Sequence, residues 1–428
     1  MLHYLVNIFF AAAAFFAIYK IKMFGTKGIS KHWFAGAFAI KLIAAFALWF
    51  IYTQHYTDRS KADIFRYYDD ARVFKHLLKD HKTEYFKFFV QEKSSDKEVN
   101  VVLKYTNNWE THNKNRFFGN NRFIIRVNML LNLISLNSYG VHAIIFSFLA
   151  FMGLFWIFRF FYRQLPERKW LIFLAVFGFP SIVFWSSGIL KESLVFFFIG
   201  LILNCGSYAL KGRKPIARSI LVLVAFFFLF QIRAIIALIF IPIALGYLWN
   251  YLRPQRRSFL PYFILLFISL SLLSESKRIT GTDFYGILVE KRMAFEQVGQ
   301  ENNAGSMILS AQFDADGISV LKSTPIALIN SIFRPTPWEA HGQLMWMASL
   351  ENVLLFLVLV VLVVFPNPEI KSPNLLWFAL LFALANLIIT GLTVPILGAI
   401  SRYRIIGLLF LLMAFVQLIN FNKLKRNK

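Results

Sequence analysis

Eleven stretches of mostly apolar residues run along this chain, and they constrain its architecture more than any other feature. Most of them are long enough to cross about 30 Å of hydrocarbon as helices that rise about 1.5 Å per residue. A soluble fold of 428 residues, 58% hydrophobic and 16% charged, would leave much apolar surface in water. We therefore predict an all-α polytopic membrane protein with about eleven transmembrane helices. The predicted spans are 2–19, 34–52, 141–158, 171–187, 193–210, 219–230, 234–251, 259–273, 350–365, 375–391 and 405–421.

Lysine and arginine are distributed unevenly among the connections between these spans. The connections after the first, third, fifth and seventh spans are strongly basic, and so is the C-terminal tail. The positive-inside rule assigns basic connections to the cytoplasm, so the N-terminus is predicted outside and the C-terminus inside. The first span is interpreted as retained, because no basic region precedes it and no small-residue cleavage site follows it.

The net charge of +24 does not by itself indicate a nucleic-acid partner. The basic residues are divided among short loops, where they face anionic lipid, and they form no single patch interleaved with aromatic residues. Cys205 is the one cysteine and lies inside a span, which excludes a disulfide framework and a cysteine metal site. We predict membrane lipid as a partner, no nucleic acid and no metal-ligand set.

Two long connections, 53–140 and 274–349, are predicted to lie outside a single membrane domain that covers 1–428. In the first connection we expect an acidic helix at 60–79, an irregular polar stretch at 93–121 and an amphipathic segment at 123–136 along the membrane interface. In the second we expect an irregular middle at 299–317 and a short helix at 319–333, kinked at Pro325.

The acidic helix carries the first candidate for chemistry. Asp63, Arg66, Tyr67 and Asp70 share one helical face, whereas Asp69 points elsewhere. Two helical turns, about 10 Å, separate Asp63 from Asp70, which is too far for a shared proton. Two interpretations stay open: Arg66 neutralises both carboxylates on a wet surface, or one carboxylate takes a proton from an attacking hydroxyl.

Four external cations, namely Lys191, Arg233, Arg402 and Arg404, run against the positive-inside bias. Each is costly at a membrane boundary unless an anion meets it, and Glu192 is the obvious acid nearby. A bound phosphate or pyrophosphate would explain the surplus, and headgroup contact is the alternative. Lys191 and Glu192 end the run 179–193, which Pro180 and Gly188 predict to be a broken helix in the outer leaflet.

The run 333–341 precedes the ninth span and contains Arg334, Trp338 and Glu339. Glu339 is favourable near the N-terminus of a helix that begins at Pro337, so a capping role is one interpretation. The other is a sugar or phosphate contact in which the indole of Trp338 offers a stacking face.

Three patches of the external connections carry a resemblance to a known family. They are Asp63-x-x-x-Tyr67 with Asp70-Ala71, Pro180-Ser181…Trp185-Ser186…Lys191-Glu192-Ser193, and Ser401-Arg402-Tyr403-Arg404. Together they resemble the C-type (GT-C superfamily) integral membrane glycosyltransferases, which use polyprenyl-phosphate sugars. Arg334, Trp338 and Glu339 are similar to the late external loop of bacterial members. The chain departs from the family in an extra N-terminal span, in Ile405-Ile406 where a proline is usual, and in having no large soluble C-terminal domain.

The resemblance implies an enzyme of the bacterial inner membrane whose active site faces the periplasm or exterior. It would move a sugar from a polyprenyl-phosphate-linked donor to a glycan, lipid or protein acceptor, with Asp63 or Asp70 as the base. Lys191, Arg233, Arg402 and Arg404 would stabilise the departing phosphate beside Tyr403, and Glu192 would order Lys191 or help to hold a divalent cation.

Two alternatives stay open. One is a surface polysaccharide (O-antigen-type) polymerase or ligase that uses the same cations. The other is a non-enzymatic transporter or membrane scaffold. A proton- or ion-driven transporter is disfavoured, since the spans are expected to contain almost no buried acids or bases.

Overall fold

The computed structural model describes residues 2–55, 58–109, 121–254, 257–301, 305–308, 311–420 and 423. Within these ranges the fold is all-helical, with three isolated bridges and no strand. The predictions for residues 110–120 of the polar stretch, for residues 302–304 and 309–310 of the irregular middle and for the tail beyond 423 fall outside the described ranges. The helices are α1 (Leu2–Lys20), α2 (Lys31–His55), α3 (Asp63–Lys75), α4 (Leu77–Asp80), α5 (Lys82–Lys87), α6 (Lys97–Asn100), α7 (Asn121–Asn132), α8 (Tyr139–Tyr162), α9 (Lys169–Phe177), α10 (Pro180–Trp185), α11 (Lys191–Ala209), α12 (Pro215–Ile232), α13 (Ala234–Leu252), α14 (Leu260–Ser274), α15 (Ser276–Thr280), α16 (Phe284–Glu301), α17 (Gly317–Phe333), α18 (Gln343–Val364), α19 (Pro373–Thr393), α20 (Leu397–Tyr403) and α21 (Ile405–Leu418).

Eight of the described helices are long and apolar enough to cross a membrane, which indicates a multi-pass membrane protein. They are α1, α2, α8, α11, α12, α13, α18 and α19. The helices α20 and α21 meet at an angle of 58° and make a ninth if they form one bent span.

The remaining predicted spans differ from single long helices. The predicted span 171–187 divides into α9 and α10, and the span 259–273 is α14, of 15 residues. The short stretch 219–230 gains flanking residues at both ends and becomes α12, of 18 residues. The count of eleven and the orientation of the termini stay predictions.

Two compact units divide the helices. The first consists of Met1–Phe160 and Val183–Ala234, and the second of Phe161–Ile182 and Ile235–Lys428. The single membrane domain over 1–428 stays a prediction. In the first unit α8 and α11 cross at Gly153 and Gly200, where a Cβ atom on either glycine would lie 2.2 Å from a backbone oxygen of the other helix. Small residues are what allow membrane helices to approach this closely.

The connection 53–140 has a core of its own in the first unit. The helix α3 packs against α7, and aromatic side chains fill the space between the surrounding elements. The ring centroids of Phe74 and Trp109 are 4.5 Å apart, and the hydroxyl of Tyr85 donates to the carbonyl of Met129 at 2.7 Å. The predicted helix 60–79 is observed as a 3₁₀ turn, α3 and α4. The stretch expected to be irregular contains α6 and a second 3₁₀ turn, so that expectation is wrong for 97–105.

In the second unit α17 packs along α19. A Cβ on Gly391 would lie 1.9 Å from the carbonyl oxygen of Ala327, so the two backbones touch there. The helix α17 agrees with the prediction for 319–333 and runs through Pro325. The helix α16, which was not predicted, contributes Leu288 to the apolar cluster that includes Ala327.

Candidate functional site

Asp70 lies in the middle of α3 and is fully buried. Its Oδ1 accepts the backbone N–H of Asn107 and its Oδ2 accepts that of Asn108, both at 2.7 Å. Burial raises the pKa of Asp70 above its ordinary value, although these two N–H groups and the charge of Arg66 oppose the shift. The interpretation that Arg66 neutralises an exposed carboxylate is therefore wrong for Asp70. Its buried carboxylate instead holds residues 107–108 against α3 through two hydrogen bonds.

Asp63 begins α3 and is half-buried. It precedes Tyr67 by one helical turn, so both lie on the same face. The ammonium of Lys191 lies 5.9 Å from the centre of the Tyr67 ring, within the range of a cation–π contact. The first turn of α11 is thus next to the acidic helix, as the hypothesis of a shared site requires.

Glu192 and Arg233 complete this group. Their side chains are 2% and 14% exposed, and Glu192 Oε1 lies 2.6 Å from Arg233 Nη2. Arg233 follows α12 with non-helical backbone, and its side chain reaches Glu192 in the first turn of α11. We call Asp63, Tyr67, Lys191, Glu192 and Arg233 the α3–α11 cluster. It combines a half-buried carboxylate with two cations and one buried acid.

The broken helix predicted at 179–193 is observed as a gap between α10 and α11. Hydroxyl groups satisfy part of its backbone. Ser193 Oγ donates to the carbonyls of Ser186 and Gly188 at 3.0 Å each, and Gly188 N–H donates to Ser147 Oγ at 3.1 Å. Gly188 has a φ of +76°, which a residue with a side chain adopts only with strain.

Lys41 is the residue that sequence reasoning missed. It lies within the span α2, is 2% exposed, and its Nζ is 2.5 Å from Ser186 Oγ in this gap. Glu351, in α18, is buried as well. The expectation of almost no buried ionisable groups in the spans is therefore wrong. The signal was present, since Lys41 is the one charge within the predicted span 34–52, and a charge there marks function by default.

Arg404 lies in the second unit and is 1% exposed. Its Nη1 donates to the carbonyls of Ser331, Ile332 and Arg334, at 3.2–3.3 Å. Its Nη2 reaches Asn352 Oδ1 at 2.5 Å and Glu351 Oε1 at 3.3 Å. A cation at the last carbonyls of a helix stabilises its C-terminus. In this arrangement Arg404 ties the end of α17 to α18, and its terminal nitrogens already have protein partners.

Glu339 forms an ion pair with Arg334 and also caps a short turn. Its Oε2 accepts the N–H of Thr336 at 2.9 Å and the hydroxyl of Thr336 at 2.8 Å. Burial acts to raise the pKa of Glu339, but the hydrogen bonds from Arg334 and Thr336 outweigh it and the pKa is lowered. Of the two interpretations of this run, the geometry therefore favours capping for Glu339.

The other candidates of the second unit differ widely in exposure. The indole of Trp338 is 82% exposed, whereas Arg402 is 7% exposed and its guanidinium lies 5.6 Å from the centre of the Tyr403 ring. Over the described ranges, no three His, Cys, Asp or Glu side chains are grouped so that they could hold a metal ion.

No protein-family model matches the chain, and neither a curated protein nor a solved structure matches it significantly. The family resemblance therefore stays a prediction from the sequence.

Proposed function

We propose that the chain is a membrane glycosyltransferase that moves a sugar from a polyprenyl-phosphate donor to an acceptor on the non-cytoplasmic face of a bacterial inner membrane. The observation that carries this proposal is the α3–α11 cluster, in which Lys191 meets Tyr67 of the acidic helix and Arg233 meets Glu192. The proposed topology has eleven crossings, with the N-terminus outside. Besides the eight long helices, it counts three further crossings: the pair of α9 and α10, the single helix α14, and the pair of α20 and α21.

Asp63 is the better of the two candidate bases. Both oxygens of Asp70 accept backbone N–H groups in a buried setting, so an acceptor hydroxyl has no access to them. Asp63 is half-buried and lies one turn from Tyr67, on the side that Lys191 approaches. In the proposed reaction Asp63 takes the proton of the acceptor hydroxyl while the hydroxyl oxygen bonds to the anomeric carbon. The bond from that carbon to the donor phosphate breaks, and the phosphate leaves with the electron pair.

Lys191 and Arg233 would stabilise the negative charge on the departing phosphate. Such preorganised charge commonly contributes about 3–4 kcal/mol per donor to lowering a barrier. Arginine has five N–H donors, so Arg233 is able to keep its bond to Glu192 and still donate to phosphate. A divalent cation is not part of this proposal.

Only three of the candidate residues in the second unit keep a proposed role in binding the donor. Arg402 and Tyr403 stay candidates for donor binding and Trp338 for stacking on a sugar. Arg404 is assigned to holding the fold because it binds the last carbonyls of α17, and Arg334 and Glu339 because they pair with each other at the capped turn.

The test is a transfer assay with purified protein in vesicles that contain polyprenyl-phosphate sugars, with Asp63→Asn as the main variant. We expect it to lose transfer by at least about a hundredfold, the lower range for a general base, and to unfold at the wild-type temperature. Asp69→Asn is the matched control, since Asp69 pairs with Arg59 on the surface, and it should keep its activity. Full activity of Asp63→Asn would remove the base assignment. A wild-type protein that transfers no sugar from any such donor would overturn the function.

A further inference from the structure

A polar pocket in the second unit belongs to none of the groups described so far. It is a small pocket, partly open to solvent, and it is lined by Leu165, Arg168, Asn367, Lys371 and Gln417. Its walls come from the connection before α9, the connection between α18 and α19, and the end of α21.

Gln417 is the residue that distinguishes this pocket. It lies near the end of α21 and is 3% exposed, yet neither Nε2 nor Oε1 of its side chain has a hydrogen-bond partner among the described residues. Buried amides in native proteins are almost always satisfied, because each unmet donor or acceptor is costly. The amide lines this pocket, so a ligand bound in the pocket is a candidate partner for it.

The pocket is also positively charged. Arg168 lies against the end of α21, where its Nη1 donates to the carbonyls of Val416 and Ile419. Lys371 is 65% exposed, and its ammonium lies 3.0 Å from the carboxylate of Glu167. These two cations and this carboxylate together leave a net positive charge beside the unsatisfied amide.

We infer that this pocket binds a phosphate group, carried by the headgroup of an anionic phospholipid or present as inorganic phosphate. The phosphate oxygens accept from Gln417 Nε2 and face the charges of Arg168 and Lys371. Gln417 Oε1 needs a donor, which a glycerol hydroxyl in a phosphatidylglycerol headgroup supplies. Basic pockets between membrane helices are suited to such headgroups. This binding is independent of sugar transfer.

The test uses full-length protein in detergent, with dioctanoyl phosphatidylglycerol and inorganic phosphate as separate probes. Affinity is measured by native mass spectrometry and by the shift in unfolding temperature. We expect Lys371→Gln to weaken lipid binding about fivefold, the effect of one basic residue near anionic lipid. Lys211→Gln is the matched control, since Lys211 is an exposed lysine of another basic connection, and it should bind as the wild type does.

Gln417→Leu tests the amide itself. We expect it to weaken binding of the phosphate-bearing probe at least as much as Lys371→Gln does. An equal response to both probes would identify free phosphate as sufficient, and a response to the lipid alone would identify the headgroup; either supports phosphate recognition. The inference is overturned if Gln417→Leu raises the unfolding temperature without lipid and leaves lipid affinity unchanged. Equal losses in Lys371→Gln and Lys211→Gln would also overturn it, because they indicate unspecific attraction.

Discussion

Glu192 in the first turn of α11 and Arg233 at the end of α12 form a buried ion pair, with 2.6 Å between Oε1 and Nη2. Both residues were candidates for a phosphate site, and Glu192 was the acid expected near the four external cations; the structure pairs it with Arg233. The pair connects the two ends of neighbouring helices, which pack along each other in the first unit. It therefore links the fold of that unit to the proposed chemistry.

Removing one member of this pair should be more harmful than removing both. We expect Glu192→Met or Arg233→Met to lower the free energy of unfolding by about 3–5 kcal/mol, because each leaves a buried charge without its partner. The double variant should be closer to the wild type than either single variant. Thermal unfolding in detergent checks this. The exposed pair of Arg59 and Asp69 is the control, and its removal should change stability by less than about 1 kcal/mol. Additive losses at Glu192 and Arg233 would contradict the prediction.

Lys41 should matter for activity more than for stability. We expect Lys41→Met to change the free energy of unfolding by less than about 1 kcal/mol, since the lost bond to Ser186 is offset by removal of a buried polar group. Sugar transfer should fall at least about tenfold. The carbonyl of Ser186 accepts a hydrogen bond from Ser193 in the first turn of α11, so a shift of Ser186 would displace that turn. The assay compares transfer rate with unfolding temperature, and Lys20→Met, at an exposed lysine, is the control. A large drop in unfolding temperature with normal transfer would make Lys41 a structural residue only.

Glu339 should make the stability of the second unit depend on pH in the acidic range. Its pKa in the folded protein is lower than the ordinary value of 4.5, so its carboxylate stabilises the fold above that pH. The contribution is lost as the pH falls through the lowered pKa. At neutral pH we expect Glu339→Gln to be less stable than the wild type by about 1 kcal/mol. That difference should shrink once the pH falls below 4.5, as measured by unfolding temperature. The exposed Glu301→Gln should show no such convergence, and a difference that stays constant with pH would refute the assignment.

Gly391 should tolerate no side chain. A Cβ there would lie 1.9 Å from a backbone oxygen of α17, so Gly391→Ala must push α17 away from α19. We expect a loss of about 1–3 kcal/mol in the free energy of unfolding. Gly398→Ala in α20 is the matched control, because among the described residues, apart from its chain neighbours and the backbone of its own helix, no atom lies within 4 Å of the position that its methyl group would take. That variant should be neutral or slightly stabilising. Equal stability of the two variants would argue against the close α17–α19 contact.

Hydrophobic run length was sufficient to predict most of the long helices. The apolar stretches at 2–19, 34–52 and 141–158 each correspond to one described helix, because a long apolar segment has few ways to satisfy its backbone in lipid. The break between α9 and α10 was also predicted from Pro180, since proline has no backbone N–H to donate to a helical hydrogen bond. The helix α16 was missed because charged and polar residues interrupt its apolar positions, so it contains no long apolar run.

The sequence by itself determined that this chain is helical and that its long apolar helices suit a membrane. It also determined which charged residues lie in or next to those apolar stretches. Only the tertiary structure decided what those charges do. It buried Asp70 against two backbone amides, gave Arg404 the last carbonyls of α17, and placed Lys41 beside Ser186, a residue 145 positions away. The physical reason is that a helix-forming pattern is local, whereas the partner of a buried charge comes from whichever segment packs against it.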